Sequence, residues 1–235
     1  MNLNSDSFIL EVVILYKDKL NDRKDQKKRL LIDAAVKVLS DKGYNDSSII
    51  DITKEAHVSV GTFYSYFKNK EDILEYIYDE ISEIYFNISK FGSRNIKENP
   101  AIKLVKVISS IVLTYQKYQK ITQLLLIRNS YINEKFQKRY FDIVDRTKNT
   151  IIVILKRMNL DSKLQDIDIE ILAIALVKSV IGVLDYWIYD DNPKDVFDIT
   201  YNLVLYNLNA LKVEPKEIDI KKVIEELFEK YDIIL

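Results

Sequence analysis

Apolar residues recur every three or four positions along most of this chain, the period of helices that bury one face, and no segment alternates with the period-two pattern of strands. Residues 72–91 put Ile73, Ile77, Ile81, Ile84 and Ile88 on one side, which predicts a long helix ending at Phe91-Gly92-Ser93. Asn99 and Pro100 supply a cap and a first-turn proline for the next helix, which reaches about Tyr118. A short helix is expected over 122–129 and a long one over 133–158. Residues 168–189 are apolar nearly all round in the middle, so that helix must be covered on two sides. One of its stripes, Ala175, Ser179 and Gly182, is small enough for another helix to approach closely. Pro193 is expected to open an amphipathic helix reaching residue 211, and 215–235 carries Ile220, Val223, Ile224, Leu227, Phe228 and Tyr231 at helical spacing. The predicted fold class is all-α, without an internal repeat.

The stretch from 47 to 70 has a finer texture. Ser47 and Ser48 both suit a helix N-cap, and Ser48 with Asp51 three residues on makes the pattern that satisfies orphan backbone donors in both directions. A helix of barely two turns follows, with Ile49, Ile52 and Ala56 as its buried stripe, ending at His57-Val58-Ser59. Ser59 then caps a second helix carrying Val60, Phe63, Tyr64 and Phe67, of which Phe63 and Phe67 face inward. Gly61, Thr62 and Ser65 lie opposite, where small and hydroxyl-bearing residues let a backbone approach a groove and offer donors and acceptors to base edges. Tyr64, Tyr66, Lys68 and Lys70 flank that face. This is the outline of a helix-turn-helix, whose second helix enters the major groove of DNA.

Residues 29–77 resemble the N-terminal DNA-binding region of the TetR family of bacterial transcriptional regulators. The resemblance rests on spacing without a gap: Ala34-Ala35, Gly43, Ser47-Ser48, Asp51-Ile52, Ala56, then V-S-x-G-T-F-Y-x-Y-F-x-N-K from Val58 to Lys70. Two positions depart from the family's pattern. Thr53 stands at a usual alanine, and His57 at the usual glycine of the turn, where a positive φ would cost about 1 kcal/mol. The resemblance implies DNA contacts from Lys28, Ser47, Ser48, Ser59, Val60, Gly61, Thr62, Tyr64, Ser65, Tyr66, Lys68 and Lys70. Tyr64 and Lys70 are expected at phosphates, Thr62 and Ser65 at bases.

The same resemblance implies a three-helix DNA-binding domain over 25–71 and a larger helical domain over 72–212 that binds a ligand and dimerises. A helical extension, 1–24, precedes them, and an extra helix, 213–235, follows. Its last two core helices would pair with their copies across a two-fold axis, through Ala175, Ser179, Gly182, Tyr201 and Leu205. A homodimer on a pseudo-palindromic operator, repressing a neighbouring gene and released by an apolar or aromatic small molecule, is the function expected. The alternative is a DNA-binding protein of the same fold with no inducer, in a nucleoid or division-linked role. For the effector pocket the candidates are Tyr115, Tyr118, Arg128, Tyr131, Phe136, Tyr140, Asp185, Tyr186 and Trp187, with Phe141 nearby; for each aromatic the competing role is core packing.

Composition adjusts this reading in three places. The 235-residue chain has a net charge of −1, yet residues 21–70 hold ten Lys/Arg against seven Asp/Glu, a net of +3, leaving −4 elsewhere. A weakly basic reader suits groove fit with a few phosphate contacts rather than bulk attraction. There is no cysteine and His57 is the one histidine, so neither a disulfide framework, a thiol nucleophile nor a histidine metal site is available, and no cofactor is expected. Phosphate-loop, dinucleotide and E-x-x-H patterns are absent, which argues against an enzyme. Finally, residues 7–20 form a helical stripe of Phe8, Val12, Leu15, Tyr16 and Leu20. It is too short and too interrupted by Glu11 to cross a membrane, and lacks the basic flank of a signal peptide. Arg23, Lys24, Lys27, Lys28 and Arg29 follow it as a basic cluster able to touch phosphates, and the expected location is cytoplasmic.

Overall fold

A computed structural model describes residues 23–94, 97–117, 119–122, 134–158, 166–187, 194–214 and 218–233. Among them are ten helices: α1 Arg23–Lys42, α2 Ile49–Glu55, α3 Val60–Tyr64, α4 Lys70–Arg94, α5 Pro100–Lys117, α6 Gln119–Thr122, α7 Glu134–Met158, α8 Ile169–Trp187, α9 Val196–Ala210 and α10 Ile220–Ile233. They fall into two compact units, residues up to 84 with 118–141, and 85–117 with 142–235.

In the first unit, α1 is the support on which the short helices lie. Leu31, Ala35 and Leu39, four residues apart, are fully buried, and α1 packs against α2 and α6 while α2 packs against α3. Gly43 ends α1 at φ +83, with its N–H on Leu39 O, a left-handed stop that glycine takes without strain. Further on, Tyr78 of α4 stacks on Phe136 at the start of α7, ring centroids 5.1 Å apart. Arg139 spans Asp79 and Glu75 beside that stack, and Lys135 pairs with Glu75.

The second unit is organised around α5, which packs against α8, α9 and α10. Leu104, Val105 and Val112 are fully buried along it. Its start matches expectation, with Asn99 Oδ1 accepting from Ala101 N at 2.8 Å. Arg157 donates to Glu98 O at 3.1 Å and Lys106 meets the Glu98 carboxylate at 2.6 Å, tying the approach to α5 to the end of α7. Tyr115 Oη donates to Leu184 O at 3.0 Å, fixing α5 to α8. The carboxyl-terminal helix is part of this core: Ile224 is fully buried, Leu227 nearly so, and Phe228 meets Phe197 of α9 edge-on at 5.7 Å.

Several boundaries differ from the pattern-based expectations. α4 continues through Phe91-Gly92-Ser93 to Arg94, because one helical glycine costs only about 1 kcal/mol and does not by itself end a helix. α9 opens at the Asp195 cap rather than at Pro193, since the Asp195 carboxylate accepts from Phe197 N and Asp198 N while Lys194 and Asp195 lie outside the helix. α3 stops at Tyr64, three residues before Phe67. The single turn α6 ends at Thr122, the first residue of the helix expected over 122–129, and residues 123–129 lie outside the described residues, as do the helix over 7–20 and Pro193.

Because α10 fills a buried face of α5, Ile224→Ala should cost about 2–4 kcal/mol of unfolding free energy. Urea denaturation followed by circular dichroism measures this.

Candidate nucleic-acid interface

Ser48 is the residue that starts α2. Its backbone is extended, its hydroxyl accepts from Asp51 N at 3.1 Å, and the Asp51 carboxylate accepts from Ser48 N at 2.9 Å. Ser47, the other candidate cap, is instead buried and donates to Tyr44 O at 3.0 Å. Lys42, at the end of α1, reaches Asp51 at 2.7 Å. Bonds from Lys42 first and Ser48 next hold the Asp51 carboxyl down at about 2. The buried side of α2 is Ile52, Thr53 and Ala56, with Ile49 half-buried. Thr53, the departure from alanine, is accommodated because its hydroxyl donates to Ile50 O at 3.1 Å.

His57 makes the turn at φ +53, and its N–H donates to Lys54 O. Ser59 then caps α3, accepting from Thr62 N at 3.1 Å. Phe63 is completely buried and Phe67 nearly so, their centroids 5.8 Å apart, which anchors α3 from below. Its outward side shows Val60, Gly61, Tyr64 and Ser65, with Thr62 half-buried. A Cβ built on Gly61 would meet nothing nearer than Ser59 Oγ at 3.8 Å, so the space above it is open. The hydroxyls turn back on their own helix: Ser59 and Thr62 share a hydrogen bond at 2.9 Å, and Ser65 donates to Gly61 O at 3.0 Å. Ser48 likewise donates to Asp51 at 2.6 Å.

The basic candidates divide. Lys68, like Lys27 and Lys54, is exposed. Lys70 turns inward, donating to Tyr44 O, Ser47 O (2.6 Å) and Ser47 Oγ (3.4 Å), with its ammonium 4.3 Å from the Tyr44 ring centroid. Partial burial lowers its pKa, while Asp46 and Asp51 oppose that shift. Its contacts make it the brace of the segment before α2. Lys28 is half-buried over the Tyr76 ring, 3.6 Å from the centroid. Tyr66 is half-buried and Tyr64 is 57% exposed. Arg29 pairs with Asp33 and Glu80; the side chains of Arg23 and Lys24 lie outside the described ones. One exposed residue was not singled out by sequence reasoning, Ile50, 55% exposed on α2. Its signal was present: the buried stripe of α2 leaves position 50 on the outer face.

The described effector candidates are divided between the two units. Tyr118, Arg128 and Tyr131 lie outside the described residues. Phe136 is the stacking partner of Tyr78, and Tyr140 meets Phe141 edge-on at 5.5 Å, all in the first unit. Tyr115 is bonded to α8 in the second unit, where Tyr186 is 79% exposed. Asp185 Oδ1 and Trp187 Nε1 are buried polar atoms without a hydrogen-bond partner, and burial raises the Asp185 pKa against the opposing effect of Lys178.

Of the dimer candidates, Ala175 and Gly182 are exposed on α8, together with Ile171, Val183 and Tyr186. Ser179 is turned to α9, with its Oγ 3.3 Å from Oδ1 of the buried Asn207. Tyr201 and Leu205 are half-buried, Tyr201 beneath Lys221 of α10 at 5.3 Å; Tyr206 is the aromatic of α9 that stands exposed, at 61%. Among the described residues no group of three His, Cys, Asp or Glu could hold a metal ion, and no helix is long and apolar enough to cross a membrane.

The Asp51 cap gives the reader an acid limit. A carboxyl at about 2 when folded and 3.8 when unfolded adds stability in full above the unfolded value, and loses it as pH falls through the folded one. The difference in thermal midpoint between the protein and Asp51→Asn should therefore shrink as pH is lowered from about 4 to about 2.

Residues 31–77 match the family model described as "Bacterial regulatory proteins, tetR family". The fatty acid metabolism regulator protein of Bacillus subtilis (strain 168) is 38% identical over 128 residues, covering 49% of this chain; the chain spans 62% of that relative's length. Among solved structures, the fatty acid degradation regulator FadR from Bacillus halodurans superposes with a TM-score of 0.67 at 19% identity, over 80% of this chain and 97% of that one. FadR from Bacillus subtilis, solved in complex with stearoyl-CoA, gives 0.61 at 22% identity, over 77% and 97%. At those identities the structures establish a shared fold, and the sequence match places the helix-turn-helix in register. The helix-turn-helix region of this chain, residues 31–77, is that of the TetR family of bacterial regulatory proteins.

Proposed function

We propose that this regulator binds a pseudo-palindromic DNA operator as a homodimer, represses transcription there, and is released by a small molecule of acyl-coenzyme A type. The observation that carries the reading is the exposed outer side of α2 and α3, rigidly capped and anchored yet uncovered by the rest of its unit. A helix of five residues spans only a few base pairs, so useful preference over non-specific DNA requires two copies.

The second unit supplies a surface for that pairing. Ile171, Val183 and Tyr186 of α8 and Tyr206 of α9 are 65%, 43%, 79% and 61% exposed, with Ala175 and Gly182 exposed on α8. A cluster of large apolar side chains around small residues is the composition of a helix–helix interface rather than of a solvated face. A second copy of the same two helices satisfies it symmetrically.

The class of effector rests on likeness to a regulator solved with stearoyl-CoA. It is consistent with an aromatic-rich body in which Trp187 Nε1 is buried without a hydrogen-bond partner. An effector controls DNA affinity only by preferring one arrangement of the two readers over another.

Gly182 tests the dimer cleanly, because a Cβ there meets nothing within 4 Å and a large side chain fits the single subunit. Gly182→Trp should sediment as a folded monomer and lose operator binding; an unchanged dimer excludes this face. The effector is tested with the chain's single tryptophan. Titration with stearoyl-CoA should change Trp187 fluorescence and release the operator in a gel-shift assay at the same concentrations. No response in either measurement would remove acyl-coenzyme A from the reading.

A further inference from the structure

Five of the reader's six Ser and Thr hydroxyl hydrogens are already spent on local acceptors, one of them in the bond that Ser59 and Thr62 share. All six Ser and Thr side chains between residues 47 and 65 are hydrogen-bonded within that element or to Tyr44 just before it. What the two helices hold outward instead is largely apolar. Ile50 on α2 is 55% exposed and Val60 at the start of α3 is 41% exposed, and beside Val60 stands Gly61, where the absence of a Cβ lets the backbone come close to whatever it faces. In the major groove only one base carries an apolar group on its edge, the C5-methyl of thymine.

Resting on the DNA-binding reading above, we propose that Ile50 and Val60 are specificity-determining residues that recognise thymine methyl groups in each half-site. Ile50 then acts from outside the recognition helix, and the pair distinguishes thymine from cytosine by burying a methyl rather than by a hydrogen bond. Neither side chain carries charge, so neither contributes to the salt dependence of binding.

The test begins with sites selected from random DNA by the full-length protein. Each thymine of the selected site is then replaced in turn by deoxyuridine, which removes the methyl and leaves pairing intact. Affinities are measured for the protein, Ile50→Ala and Val60→Ala. Loss of one contacted methyl should weaken the unaltered protein about fourfold, the ratio for one buried methyl-sized group. That sensitivity should vanish at one thymine position in Ile50→Ala and at another in Val60→Ala, while the salt slope stays the same. Tolerance of deoxyuridine at every position, with the selected site still bound tightly, overturns this proposal and leaves the DNA-binding function standing. Sensitivity that persists in both variants overturns the assignment to these two residues. Failure to select any site overturns the DNA-binding reading and this one with it.

Discussion

Helices of seven and five residues have no stability of their own, since a helix nucleus costs more than so few hydrogen bonds return. Everything about the reader follows from this constraint. α2 and α3 exist because their first turns are closed by Ser48 with Asp51 and by Ser59 with Thr62, and because Ile52, Phe63 and Phe67 are buried beneath them. Lys70 holds the carbonyls of Tyr44 and Ser47 just ahead of α2, so the approach to the first cap is fixed as well. His57 takes the one strained backbone position between the helices. The strain, about 1 kcal/mol, is small beside the caps and anchors that surround it.

Capping has a chemical consequence. A hydroxyl that closes a helix turn spends an acceptor lone pair there, and in this element every Ser and Thr hydroxyl takes part in at least one local hydrogen bond. Beside those hydroxyls, the side chains turned outward include Ile50, Val60 and Tyr64, with exposed lysines at 54 and 68 and His57 in the turn. Stability of the short helices and the style of base recognition we propose are therefore two aspects of one allocation of polar groups.

The second unit obeys a related constraint. α8 is apolar nearly all round, and its own subunit covers only one side, through Ala173, Leu176, Val177, Val180 and Leu184 against α5 and α9. Water is a poor neighbour for the other side, and the proposed dimer meets that demand with a copy of the same surface. The carboxyl-terminal helix, for which the sequence suggested no task, is part of the core on α5 that holds these helices in place.

The sequence by itself determined the helical class, the register of the reader, the choice of Asp51 and Ser59 as capping residues, and the inward pair Phe63 and Phe67. Each follows from interactions within a few residues, where spacing alone sets geometry. Tertiary structure decided what depends on neighbours distant in the chain. It chose Ser48 over Ser47 as cap because Ser47 is buried against Tyr44 and Lys70. It turned Lys70 to backbone carbonyls, gave Ser179 to Asn207, and placed Tyr201 under Lys221 while leaving Tyr206 exposed. Periodicity tells which face of a helix is apolar, but not which neighbour covers it or whether a side chain's hydrogen bonds are already taken. Only the assembled core answers that, because the competing partners lie tens of residues away.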